Sequence, residues 1–185
     1  MNEFYEEVVI AGFGGQGIIL ASKLLAHSAM NTGREVTLMP SYGAEVRGGT
    51  SNCTVIVSDT AVASPLADSP TSLVIMNKAS LDKFGPRIRE NGLLVLNSSL
   101  IDSAADFGKD LRLVRVPADD IACELGNPKT ANMVILGAYL EKSGLLSWKD
   151  AAETLQQVLS RRYHKLIPLN TEAMKLGAEF ISNGQ

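Results

Sequence analysis

Cysteine is scarce in this chain: two in 185 residues, Cys53 and Cys123, seventy positions apart. Neither has a second cysteine or a histidine at metal-ligand spacing, which argues against a cysteine-ligated zinc or iron–sulfur site built by this chain alone. Both read as reduced, buried, small apolar residues. Aromatic residues are only 5% of the composition, the formal net charge is −3, and basic side chains gather nowhere beyond Ser160–Lys165. A surface without a positive field holds neither a phosphate backbone nor an anionic bilayer, so nucleic acid and membrane are poor partners. No apolar run approaches the roughly 18 residues of a membrane span. The acidic start MNEFYEE lacks the basic region of a secretory leader. These absences point to the cytoplasm.

What is present is ordinary globular composition, 45% hydrophobic and 20% charged, in a length that suits one domain over residues 1–185. The run VVIAGF ends in Gly-Phe, and IILASKLLAHSAMNTG follows with apolar residues at helical spacing and a stop at Gly33. EVTLMPS supplies a second strand, closing a βαβ unit whose crossover is expected to be right-handed. SNCTVIVSD alternates and is rich in β-branched residues. The connection before it is too short for a helical crossover, so it is expected to run antiparallel in a mixed sheet. SLVIMN, GLLVLNSS and DLRLVRVPA add three more strands, with KASLDKFGPRIREN as a helical link broken at Gly-Pro. From residue 119 the pattern is helical. Gly126 ends one helix, Asn127 caps the next, and Pro128 stands at a first position where its missing N–H matters least. KTANMVILGAYLEKSG is apolar around most of its circumference, which implies burial on more than one side. The expected fold is a three-layer α/β/α domain with a mostly parallel, mixed sheet, a Rossmann-like start and a helical C-terminal portion.

Gly12, Gly14 and Gly17 match G-x-G-x-x-G between strand and helix, and Gly15 adds a fourth glycine. In dinucleotide folds such glycines make the turn, admit the pyrophosphate and pack helix on strand, while the helix start offers free N–H groups to an anion. The fingerprint is incomplete. An NAD site wants an acid at the end of the second strand, and here that strand ends in Met39, Pro40 and Ser41, with Glu35 at its wrong end. Two readings stand beside a dinucleotide site: a turn that serves only packing, or a phosphate site of another kind.

The loop PSYGAEVRGGTSNC leaves the carboxyl end of a strand beside the glycine turn, the edge where open α/β sheets place ligands. Tyr42, Glu45 and Arg47 lie in it, flanked by Gly43, Gly48 and Gly49, which permit positive φ and close approach of another backbone. Tyrosine and arginine are enriched at interface centres. A Glu45–Arg47 pair that merely holds the loop is the plainer alternative.

AGFGGQGIILASKLLA, then PSYGAEVRGGTSNCTVIVSD, and later LGNPKTANMVILGA, together resemble the gamma subunit of the 2-oxoacid:ferredoxin oxidoreductases over essentially the whole chain. The likeness is greatest to the 2-oxoglutarate and branched-chain 2-oxoacid enzymes. The resemblance implies a subunit of a complex that converts a 2-oxo acid to an acyl-coenzyme A, with ferredoxin as electron acceptor. It implies thiamine diphosphate, Mg2+ and iron–sulfur clusters on partner alpha, beta and ferredoxin-like subunits, with no cofactor held by this chain alone. The isolated chain would then be inactive, with no catalytic residue and no metal ligand of its own. Agreeing with this division, the chain has no GDG diphosphate motif and too few cysteines for a four-thiolate cluster. By the resemblance, Gly12, Gly14, Gly15, Gln16 and Gly17 form the family's glycine turn as a cofactor-binding element. Ser41, Tyr42, Glu45, Arg47, Gly48 and Gly49 form a second loop at a subunit interface or coenzyme A channel.

Asn77, Asn97 and Ser98 end further strands, where turn caps explain them as well as ligands do. His27 and His164 read as structural or surface histidines rather than catalytic bases, since neither has an assigned carboxylate or serine partner. Asn132, set among apolar residues, reads as a buried hydrogen bond to a neighbouring element. Ser160–Lys165 reads as a solvated helix end. Beyond the complex, the chain has two alternative readings: a stand-alone NAD(P)-dependent oxidoreductase and a purely structural binding module. Titrating NAD or NADP into the purified chain is expected to give no saturable heat; a saturable isotherm would restore the dehydrogenase reading.

Overall fold

The apolar run Val8–Ala11 becomes the middle of a strand because its β-branched residues fit a surface buried on both faces. A computed structural model describes residues 4–41, 50–102 and 107–184. In chain order these form β1 (Tyr5–Phe13), α1 (Ile18–Asn31), β2 (Glu35–Ser41), β3 (Thr50–Ser58), β4 (Ser72–Ile75), α2 (Lys78–Phe84), β5 (Leu93–Asn97) and β6 (Arg112–Val116). Four helices follow: α3 (Ala118–Glu124), α4 (Ala131–Ser143), α5 (Trp148–Val158) and α6 (Ile167–Ser182). Six strands make one sheet in the order β2-β3-β1-β4-β5-β6. β3 runs antiparallel to both β1 and β2, while β4, β5 and β6 continue parallel to β1.

Alternation along the strands divides the core. Val8, Ile10, Val74, Val95 and Val57 pack under α1 and the C-terminal helices. Val9, Ala11, Ile75, Leu94 and Leu96 pack on the other face against Leu81 and Phe84 of α2 and Ile88. The mixed three-layer architecture is therefore as expected. β2 runs parallel to β1, as a βαβ unit requires, but does not lie beside it, because β3 is inserted between them. A βαβ unit built from consecutive strands is the common case, but here the short connection returns β3 into the gap and its two edges satisfy both strands.

In the C-terminal layer every residue of α4 from Ala131 to Leu140 is buried, so the helix is covered on more than one side as its composition implied. Asn77, Asn127 and Ser147 each accept a backbone N–H at the start of a helical segment. Two details differ from expectation. Cys123 is exposed, whereas Cys53 is buried in β3. The basic stretch is not the end of α5, which stops at Val158; Arg161–Leu166 forms a separate 3-10 turn.

α4 crosses α6 where each presents a glycine. A methyl on Gly137 would collide with the backbone carbonyl of Met174, and one on Gly177 with that of Val134. Backbone cannot swing aside as a side chain can, so overpacking here moves whole helices. Gly177→Ala is expected to destabilise the protein by about 2–3 kcal/mol, read as a lower urea midpoint with the slope unchanged.

Candidate functional site

The carboxyl edge of the sheet gathers most of the residues singled out from sequence. Because β4 and β5 run parallel to β1, Asn77 and Asn97 emerge beside the turn that follows Phe13. Thr50, at the opposite end of an antiparallel strand, pairs with Phe13, and Ser41 pairs with Asn52. Both ends of the second loop are thus fixed at this same edge. Ser41 closes β2 and is exposed; Tyr42, Glu45, Arg47, Gly48 and Gly49 lie outside the described residues.

The glycine turn is tightly closed. A Cβ on Gly12 would stand 2.7 Å from both Gln16 Oε1 and Ile18 Cδ1, and 2.9 Å from Met76 Cβ. Gly12 therefore lets the helix start sit against β1 and β4. Gly17 caps α1 at φ 73°, and its missing side chain leaves room for the amide of Asn132. Gly15 also has positive φ, 96°, with open space around it, and Gly14 is exposed. Gln16 donates its backbone N–H to Phe13 O at 3.1 Å. Its Oε1 accepts from Phe13 N at 2.6 Å and from Asn77 Nδ2 at 3.2 Å. The Gln16 side chain is engaged inside the protein, joining the turn to the end of β4.

α1 begins with no side-chain cap and no acidic residue in its first turn. Its leading N–H groups and positive dipole end are thus suited to an anion approaching this edge. No group of three or more His, Cys, Asp or Glu side chains that could hold a metal ion occurs among the described residues.

The other polar groups at this edge serve the fold. Asn77 Oδ1 accepts from Ser80 N at 2.8 Å. Asn97 Oδ1 accepts from Ala118 N at 3.2 Å, and its Nδ2 donates to Met76 O and to Asp119 Oδ2. Asp119 was not singled out from sequence, although an acid in the first turn of a helix after a strand is a readable sign. The backbone N–H of Ser98 donates to Val116 O, and Ser99 Oγ bonds Asp120. Asn132 makes the expected cross-element bond, Nδ2 to Gly17 O at 3.1 Å, but its buried Oδ1 has no donor.

His27 is an exposed residue of α1, and His164 Nε2 lies 2.9 Å from Leu159 O. Among the described residues neither is bonded to a carboxylate or a nucleophile. Burial pushes the Cys53 thiol up, away from the reactive thiolate. A dinucleotide faces a further obstacle beyond the missing acid. With β3 interposed, the end of β2 lies two strand spacings, about 10 Å, from β1. Exposed Phe13 and Met39 near the ends of β1 and β2, and exposed Leu100 in the turn after β5, give this edge an apolar component.

Gly15→Ala is expected to destabilise the protein by about 1 kcal/mol, from the left-handed backbone alone. Gly17→Ala adds the collision with Asn132 and is expected to lose about 2–3 kcal/mol. Urea midpoints of the two variants check the difference; equal losses would mean that Asn132 yields freely.

Residues 7–180 match the family model described as pyruvate ferredoxin/flavodoxin oxidoreductase. Over 185 aligned residues the chain is 39% identical to the ketoisovalerate oxidoreductase subunit VorA of Methanothermobacter marburgensis, covering 96% of this chain and 37% of that protein. It is 33% identical to the 2-oxoglutarate synthase subunit KorC of Methanothermobacter thermautotrophicus, covering 100% of this chain and 99% of that one. The chain thus spans little more than a third of the ketoisovalerate subunit but nearly all of the 2-oxoglutarate one. In three dimensions it superposes on the gamma subunit of a keto/oxoacid ferredoxin oxidoreductase from Geobacter sulfurreducens with a TM-score of 0.80 and 27% identity, covering 94% of this chain and 96% of the other. The chain belongs to the pyruvate ferredoxin/flavodoxin oxidoreductase family.

Proposed function

We propose that this chain is the gamma-type subunit, a single domain over residues 1–185, of a cytoplasmic complex that oxidatively decarboxylates a 2-oxo acid to an acyl-coenzyme A. Ferredoxin is the electron acceptor, and 2-oxoglutarate is the preferred substrate reading, in keeping with the nearly full-length match to a 2-oxoglutarate synthase subunit. The relatives are themselves named as subunits, which supports heteromeric assembly. Thiamine diphosphate and Mg2+, which supply the carbon chemistry, and the iron–sulfur clusters that carry electrons are assigned to partner chains. Two cysteines, one buried and one exposed, do not furnish a four-thiolate cluster.

The observation that carries this reading is the convergence at one sheet edge. An uncapped helix start, exposed apolar side chains and both anchor points of the second loop meet there. Such an edge suits a protein partner and a phosphate-bearing ligand together: Phe13, Met39 and Leu100 offer apolar area, and the start of α1 offers N–H groups. In this proposal the glycine turn of Gly12, Gly14, Gly15, Gln16 and Gly17 faces that ligand. The loop from Ser41 through Tyr42, Glu45, Arg47, Gly48 and Gly49 faces the partner subunits near the coenzyme A path.

Arg47→Ala is expected to weaken assembly with the thiamine-bearing and iron–sulfur subunits, or to raise the apparent KM for coenzyme A about tenfold. Co-purification and steady-state kinetics of the complex read both effects. Unchanged assembly and kinetics would reduce the loop to a structural role. A native pull-down lacking thiamine and iron–sulfur subunits would overturn the assignment of the complex.

A further inference from the structure

In a chain of net charge −3, basic side chains gather at the 3-10 turn Arg161–Leu166, none of whose residues is buried. Arg161, Arg162 and Lys165 are exposed there, and none of them has an acidic partner among the described residues, unlike Arg34, Arg87 and Arg89. Beside the turn lies a cavity of about 440 Å³ whose apolar wall includes Leu20 of α1, Leu159, Leu166 and Leu169. Exposed Tyr163 and Lys129 also line it, and no acidic residue does among those described.

The turn is held in one shape. The backbone N–H of Tyr163 donates to Ser160 O at 2.8 Å, His164 Nε2 lies 2.9 Å from Leu159 O, and the Arg162 guanidinium sits 4.7 Å from the centre of the Tyr163 ring. A surface fixed in this way loses little further freedom when it binds. Its chemistry selects the occupant. The cavity takes an apolar side chain, and the unpaired cations call for carboxylates beside that side chain. Of the four cations only Lys129 lines the cavity, while the other three continue along the turn. A small ligand with one charge cannot meet them all, whereas a peptide segment with several carboxylates can. A phosphate backbone would meet the cations but leave the apolar cavity unfilled, and the chain's net charge of −3 opposes it. Tyrosine and arginine around an apolar pocket match the composition of protein interface centres.

We propose that this surface docks an acidic segment of a partner protein, which inserts one leucine or phenylalanine against Leu159, Leu166 and Leu169 and sets flanking Asp or Glu side chains on Arg161, Arg162, Lys165 and Lys129. The charges steer the encounter, and the buried side chain sets how long the segment stays. The inference uses no residue of the glycine turn or the second loop, so it does not rest on the proposed complex.

Fluorescence anisotropy of labelled probes titrated with the full chain tests it. The hexapeptide Asp-Glu-Leu-Phe-Glu-Asp is expected to bind saturably at one site, at least about fivefold more weakly when salt is raised from about 50 to 300 mM. Asp-Glu-Ser-Ser-Glu-Asp, which keeps the acids and lacks the apolar anchor, is expected to bind at least about tenfold more weakly. Lys-Lys-Leu-Phe-Lys-Lys and single-stranded oligothymidylate are expected not to bind. The surface double variant Arg161→Glu/Arg162→Glu is expected to weaken the acidic peptide about tenfold. Leu169→Trp, which fills the cavity, is expected to bring the two acidic peptides to equal affinity, with folding of both variants verified by circular dichroism. No binding of the first peptide, equal binding of the basic one, tighter binding of the oligothymidylate, or indifference to Arg161→Glu/Arg162→Glu would overturn the proposal. Self-association of the chain that the same double variant abolishes would overturn it too, since a second copy would then be the occupant.

Discussion

The pairing of β3 with both β1 and β2 is the constraint on which the carboxyl edge depends. A strand inserted antiparallel between two parallel ones fills both its hydrogen-bonding edges. Its register also brings Thr50 beside Phe13 while Asn52 stands beside Ser41. The same ladder that supplies core residues Val55 and Val57 therefore sets the glycine turn next to the anchors of the second loop. A one-residue slip would turn Val55 and Val57 to the opposite face and shift the loop's anchors together. Burial thus enforces the geometry at the carboxyl edge.

Around that edge the polar side chains form a continuous brace. Gln16 ties the turn to Asn77, Asn77 starts α2, and Asn97 ties the end of β4 to the start of α3. Each bond is modest by itself, about 1 kcal/mol, but together they fix the strand ends that face outward. The start of α1 is left without a side-chain cap while its neighbours α2 and α5 have theirs.

Much of this was legible in the residues. Apolar runs of strand length, glycines at positive φ, and an Asn-Pro start gave the elements and their order, because those signals act locally. The antiparallel course of β3 followed from the shortness of its connection. Its place between β1 and β2 did not, since periodicity states which face a residue takes and not which strand stands next to which. Cys123 likewise carried no local mark of its exposure: the apolar character of cysteine suggested burial, but α3 turns that side outward. Gln16 was legible as part of a motif, whereas its bond to Asn77 spans 61 positions and depends on β4 lying beside β1. The unpaired oxygen of Asn132 is a property of three packed helices and has no counterpart in the sequence pattern.

The two anchors of the second loop have a further meaning. Eight residues separate Ser41 from Thr50, and both ends of that stretch belong to adjacent antiparallel strands. Closing such a connection depends only weakly on its length, with each doubling adding about 0.6 kcal/mol. Residues can therefore be gained or lost between the anchors while the ladder on either side keeps its pairing. The pairing of β2 with β3 is thus only weakly tied to the length of the connection that joins them.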